Sequence, residues 1–208
     1  MQEYAAGLGA RFAFTIAPDK SSLYPEHLPG YPESDAPSNA ERLKTVLDEL
    51  DVAYVDLFEL FESQDEVLYF EHDSHWNSRG AALAADAINS ALGVSSNYGE
   101  GFDYETSQHT GDLFEMLYPA GEDGETNDEP TAMNFNQGEN VRPDSITIDT
   151  TGAGELNLLM FRDSFGELLY PFMAESSAAA RFSRMAAYDL TLAEELSSTA
   201  VVIELVER

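Results

Sequence analysis

Cysteine is absent from this 208-residue chain, and that absence removes disulfides, thiolate zinc sites and a cysteine nucleophile together. It does not fix the compartment, because disulfide-free proteins occur on both sides of a membrane. Positive charge is scarce. Ten Lys and Arg stand against 39 Asp and Glu, a net charge of −29. Such a surface repels phosphate backbones and anionic headgroups, which argues against nucleic acid as a partner. It suits solubility in a salty or surface environment; a calcium-binding surface is the alternative, yet no loop has the Asp/Asn alternation and glycine of an EF-hand. Long apolar runs are also missing. None approaches the roughly 18 residues of a membrane span, and no signal peptide is visible. A core-strand candidate begins by Arg11 and another ends at Val206, so the chain reads as one domain, 1–208, trimmed at both ends.

What is present is a foldable core. A hydrophobic fraction of 43%, with 12 Phe, 10 Tyr and 1 Trp, argues against the disorder that so acidic a chain would otherwise suggest. The run Arg11 to Ile16 reads as a strand closed by Ala17-Pro18-Asp19. A loop with Pro25, Pro29, Pro32 and Pro37 follows, and Ser38 to Glu41 has the form of a capping box. The helix it opens carries Leu43, Val46, Leu47 and Leu50 at helical spacing, which predicts a core-facing stripe. Val52 to Leu57 and Glu66 to Phe70 are strand candidates. The alanine-rich stretch Ser78 to Leu92 predicts a helix, with Gly93 placed as its C-terminal cap.

From 93 to 144 glycines and acids dominate, which predicts a loop-rich insertion with one short helix around Leu113 to Leu117. Order returns with strand candidates Ile146 to Thr150 and Glu155 to Phe161. A helix through Leu168 and Leu169 follows, which Pro171 ends or kinks. Thr199 to Val206 is a near-continuous apolar run of the kind buried on both faces. Strands alternating with helices predict an α/β fold of three layers, α/β/α, around a mainly parallel sheet.

Two segments carry chemistry. In Leu158 to Gly166 an apolar strand runs into Asp163-Ser164, and a helix follows. Parallel α/β sheets place their sites beyond the carboxyl ends of strands, and a serine there has its own N–H aimed at a developing anion. Ser164 reads as a nucleophile or as a helix cap. The second segment is His72-Asp73-Ser74-His75-Trp76-Asn77. In extended chain, residues two apart share a side, so Asp73 can orient His75 as a general base. A hydrogen-bonded structural turn, and a metal site built from His72, Asp73 and His75, are the alternatives. His27 and His109 complete the set of four histidines. Together the segments supply Asp, His and Ser in that chain order.

The D-x-H-W run Asp73 to Trp76, followed by Asn77 and a small-residue helix, resembles the signature of the alginate O-acetyltransferase (DHHW) type of SGNH hydrolase domain. In that type the Asp-His pair precedes the serine. Arg162 to Gly166 is similar to its G-D-S-F or R-D-S-F block. Weaker likenesses are Ile16 to Lys20 with Tyr24 to Glu26, Gly111 to Leu113 with Met116-Leu117, and Glu204 to Arg208. Arg162 stands where many members have glycine, and the chain lacks an evident carbohydrate-binding module.

The resemblance implies a flavodoxin-like SGNH fold in rearranged motif order. It also implies serine-dependent acyl transfer, as O-acetyltransferase or acetylesterase, on a cell-surface or secreted polysaccharide. Ser164, His75 and Asp73 would be catalytic, and Gly111, Asn77 and Arg162 are candidates for oxyanion or substrate contacts. No cofactor or metal is called for. The expected partners are an acyl donor, a saccharide acceptor and, by family analogy, a membrane-bound protein that supplies the acyl group, all outside the cytoplasm. The alternative is a non-catalytic cell-surface or carbohydrate-binding domain that keeps the fold.

Overall fold

The computed structural model describes residues 1–28, 30, 36–185 and 187–207; Pro29 and Pro32 of the expected proline loop, and Arg208, lie outside them. Its centre is a seven-stranded sheet in the order β2-β1-β9-β7-β8-β6-β5. The strands are β1 (Arg11–Ala17), β2 (Tyr54–Val55), β5 (Phe135–Gln137), β6 (Thr147–Gly152), β7 (Leu156–Phe161), β8 (Ser177–Ser183) and β9 (Ala200–Val206). Neighbours from β2 to β8 pair in parallel, while β6 joins β8 and β5 joins β6 antiparallel. The expected mainly parallel α/β sheet is therefore present.

The alternation along β7 and β9 builds both cores. Leu158, Met160, Ala200 and Val202 face one side, with the helices Ser78–Ala91 and Gly166–Glu175 and with Leu57 and Phe61 from the helix Leu57–Glu62. Leu159, Phe161, Val201 and Ile203 face the other, a thinner layer closed by Ala5, Ala10 and Ala193. Three layers result because both faces of these strands are apolar. Among the described residues no helix is long and apolar enough to cross a membrane.

Several local expectations hold. Ser38 and Glu41 form the reciprocal capping box of the helix Asn39–Glu49. Asn77 caps Ser78–Ala91 through its side-chain oxygen, and Gly93 turns the chain just beyond it with φ +69°.

Others are corrected. Leu43, Val46 and Leu50 do not face a core: they are 40%, 46% and 68% exposed, and only Ala40 of that helix is buried. Helical spacing reports a periodic face, not what covers it. The Glu66 to Phe70 run is no strand, because it contributes only an isolated bridge between Tyr69 and Trp76. The helix after Ser164 runs through Pro171 to Glu175. The stretch 93–144 contains the expected short helix (Asp112–Leu117) and also an antiparallel pair, β3 (Tyr104–Gln108) with β4 (Thr126–Pro130). β8 was not expected, since Ser-Ala-Ala-Ala-Arg-Phe-Ser lacks the alternation that betrays a strand.

Candidate active site

At the carboxyl end of β7 the chain makes a tight turn before its next helix. Asp163 builds that turn: its Oδ1 accepts the Phe165 N–H at 2.9 Å, and its Oδ2 accepts the Val206 N–H from β9 at 2.7 Å. Ser164 is thus held by its neighbours, and its carbonyl accepts the Glu167 N–H at 3.0 Å, while its hydroxyl and N–H stay available. Among the described residues neither its hydroxyl nor its N–H has a hydrogen-bond partner, and its side chain is half-buried. The helix that follows takes Phe165 as N-cap with no side-chain cap bond, so Ser164 is not its capping side chain.

The Asp73–Trp76 segment docks on this turn. The indole N–H of Trp76, itself fully buried, donates to the carbonyl of Phe165 at 3.0 Å. The His75 ring lies against the Phe165 ring at 4.8 Å between centroids, one residue from Ser164. Among the described residues no hydrogen bond joins His75 to Ser164 directly. Catalytic contacts are commonly long in an unliganded enzyme.

Asp73 is 6% exposed, and all its acceptor capacity is used. Its Oδ1 accepts from the His75 N–H at 2.9 Å and is 2.7 Å from the His75 Nδ1. Its Oδ2 accepts the Asp112 N–H at 3.1 Å and is 3.0 Å from the His109 Nε2. Burial pushes the Asp73 carboxyl upward, but hydrogen bonds from His109, His75 and two backbone groups outweigh it and hold it well below the usual carboxylate range. For His75 burial works to lower the pKa. The Asp73 hydrogen bond and charge, then Asp112 and Glu167, overcome that and raise it.

The other sequence candidates have structural tasks. Gly111 is required by close approach: a Cβ there would lie 2.1 Å from the His72 carbonyl oxygen, and its N–H goes to Asp123 at 3.0 Å. Asn77 donates its side-chain N–H to the Val67 carbonyl and accepts the Gly80 N–H on its Oδ1. Arg162, 3% exposed, donates to the carbonyls of Asp163, Pro143 and Ser145, so it ties the Ser164 turn to the preceding loop. The N–H groups of Gly111 and Asn77 are engaged in these contacts, whereas the buried Nε of Arg162 has no partner among the described residues.

His72 parts from Asp73 and His75. It lies with Asp123 and Glu125, while Asp73 and His75 lie with Asp112, two groups whose ligand-type atoms fall within 4.8 Å of one another. Each group could in principle offer three ligand atoms, but their carboxylates are already occupied by backbone N–H groups and imidazoles. The trio His72, Asp73 and His75 is not assembled as one set. Sequence reasoning missed Asp163, His109 and Glu204. The Glu204 carboxyl is wholly buried behind the turn, where its Oε2 accepts the Asp163 N–H at 3.3 Å.

Residues 2–152 match the family described as SGNH hydrolase-like domain, acetyltransferase AlgX. The chain belongs to this family. The matched stretch includes Asp73, His75 and His109 and ends before Ser164. No curated protein matches the chain. Among solved structures, a DHHW family protein from Eubacterium siraeum superposes with a TM-score of 0.75 at 17% identity, over 99% of this chain and 81% of that one. Bacillus cereus PatB1 gives 0.76 at 18%, over 99% and 85%. The O-acetyltransferase domain of Pseudomonas putida AlgJ gives 0.61 at 15%, over 99% and 78%. At these identities the likeness establishes the fold, and the acyl-transfer class rests on the family.

Proposed function

We propose that this AlgX-type domain transfers an acyl group, acetyl by family, through Ser164 to a hydroxyl of a cell-surface or secreted polysaccharide. The observation that carries the reading is Asp73 at 2.7 Å from His75 Nδ1, with the same imidazole 4.8 Å from the ring of Phe165, the residue next to Ser164. His75 takes the Ser164 proton through Nε2 as the oxygen attacks the ester carbonyl carbon. The tetrahedral intermediate collapses, the C–O bond to the donor breaks, and His75 returns the proton to the leaving alcohol. The acyl-enzyme is then attacked by a sugar hydroxyl, deprotonated by the same imidazole, which releases the acylated sugar and free serine. Water as acceptor would make the same site an esterase. Asp73 stays ionised and stabilises the imidazolium. The unpaired Ser164 N–H is one candidate oxyanion donor.

In this reading the site works outside the cytoplasm, with a membrane-bound partner delivering the acyl group. A sulfonyl adduct is known for Bacillus cereus PatB1, which suggests the decisive experiment here. Phenylmethanesulfonyl fluoride should add one sulfonyl group at Ser164, read by peptide mass, and 4-nitrophenyl acetate should turn over. Both signals should vanish in Ser164→Ala. Turnover that survives that substitution overturns the nucleophile. No labelling and no turnover with any oligosaccharide acceptor, with saccharide binding retained, would instead make this a carbohydrate-binding domain.

A further inference from the structure

We propose that His109 is a positioning residue for the His75 base, acting through the far oxygen of Asp73; the inference rests on the Ser164-His75-Asp73 reading above. A carboxylate rotates about its Cβ–Cγ bond in a broad, two-fold well, so one hydrogen bond does not fix where either oxygen points. Asp73 is held at both. Oδ1 serves His75 alone, through backbone and ring, and Oδ2 receives His109 Nε2 at 3.0 Å and the Asp112 N–H at 3.1 Å. Without His109, Oδ2 keeps a single partner, and the aim of Oδ1 at Nδ1 loosens.

His109 is itself built to be rigid. Its ring lies flat on Phe70, 3.8 Å between centroids with 10° between planes, and its N–H donates to the Glu125 carbonyl at 3.0 Å. An ionised carboxylate only accepts, so His109 must carry its proton on Nε2 when it is neutral. One aspartate therefore organises two imidazoles from segments far apart in the chain, His75 packed on Phe165 beside Ser164 and His109 stacked on Phe70. The charged groups around the pair are Asp112 and Glu167, which act on His75, and Lys20, whose Nζ donates to the carbonyls of Glu71 and Asp73.

The test separates positioning from simple anchoring of the 104–112 segment. His109→Phe keeps a ring on Phe70 and removes the donor; His109→Gln places an amide N–H near the former Nε2. With 4-nitrophenyl acetate, His109→Phe is expected to lower kcat roughly 10- to 100-fold, the range found when a metal-ligating histidine or carboxylate loses its outer hydrogen-bond partner, with KM unchanged. Its acid limb should move toward lower pH as His75 loses a well-aimed carboxylate. His109→Gln should recover most of the rate and the wild-type limb. Wild-type kinetics in His109→Phe, or equal impairment in His109→Gln, would overturn the proposal. If His109→Phe does not fold, His109→Leu makes the same comparison with the apolar contact kept. Turnover in Ser164→Ala would show that the underlying triad is wrong, whatever His109 variants do.

Discussion

The indole N–H of Trp76 donates to the carbonyl of Phe165 across 3.0 Å, and through this bond the segment bearing Asp73 and His75 is fastened to the turn bearing Ser164. The proposed mechanism gives neither residue a chemical role, yet their contact ties the segment of the proposed base to the turn of the proposed nucleophile. Phe165 also meets His75, Tyr69 and Trp76 through its ring, so it forms the hub of an aromatic cluster beneath the site. Trp76→Phe should therefore cost about 1 kcal/mol for the lost hydrogen bond, and more for the volume left behind. Turnover should fall as well, because the two segments proposed to be catalytic lose their register. Trp76 is the chain's one tryptophan, so circular dichroism must follow the unfolding of the variant. Unchanged stability together with unchanged kcat would mean that the bond is incidental.

The Asp73–His75 pair predicts a pH profile. In the proposed mechanism catalysis needs neutral His75, whose pKa is raised by Asp73 against the opposing effect of burial. Ester turnover should rise with pH through an apparent value above the ordinary histidine value of about 6.5. In Asp73→Asn that limb should fall to lower pH, and the plateau should drop by as much as roughly 10⁴, the loss seen in a well-studied serine protease. Stability follows the same pair with opposite signs at its two ends. The raised His75 contributes fully below about 6.5 and loses its contribution as pH climbs through its folded value. The depressed Asp73 contributes above about 4 and loses it as pH falls. The pair thus stabilises most between those ordinary values. Wild type minus Asp73→Asn, measured by urea denaturation across pH, should peak there.

Gly111 offers a steric test of the loop that carries Asp112. A methyl group at this position would lie 2.1 Å from the His72 carbonyl oxygen and 2.9 Å from the Asp73 nitrogen, both backbone atoms that cannot swing aside. Gly111→Ala should cost about 1–3 kcal/mol or more. It should also shift the Asp112 N–H that holds Asp73, so lost activity should accompany the lowered Tm. A Tm equal to wild type would show that the loop gives way freely.

Much of this frame was legible in the sequence, and the failures share a physical cause. The strands at Arg11, Leu156 and Ala200, the helix from Ser78 and the Ser38–Glu41 box announce themselves through local pattern, and each is present. The Asp73–His75 contact was equally readable, because two-residue spacing in extended chain brings side chains together. His109 was not, since its partner lies 36 positions away and only the fold joins them. Leu43, Val46 and Leu50 misled because periodicity fixes a shared face while burial needs a covering layer. Glu204 hid inside an apolar strand, where a lone acid looks like a solvent-facing residue until the register of β9 against β7 places it behind Asp163.

That buried acid supports the last expectation. Glu204 is wholly enclosed, its Oε1 has no partner among the described residues, and Asp163 is the first charge it meets. Burial foremost, then the Asp163 charge, pushes its carboxyl well above the usual range, so it is held in the protonated form. The sign follows from proton counting. Between the ordinary glutamate value of about 4.3 and the raised folded value, the folded state keeps a proton that the unfolded chain releases, so stability falls as pH rises. Glu204→Gln removes the titrating group and keeps the shape. Relative to wild type it should therefore gain stability as pH is raised from about 5 to about 8. The Tm difference between the two proteins measures this directly, because every other group cancels to first order. A difference that stays flat across this range would mean that Glu204 is ionised in the fold, with its charge compensated by Arg162, a cation whose charge acts on it. In that case Glu204→Gln should destabilise at every pH, since Arg162 would be left without its counter-charge in a buried site.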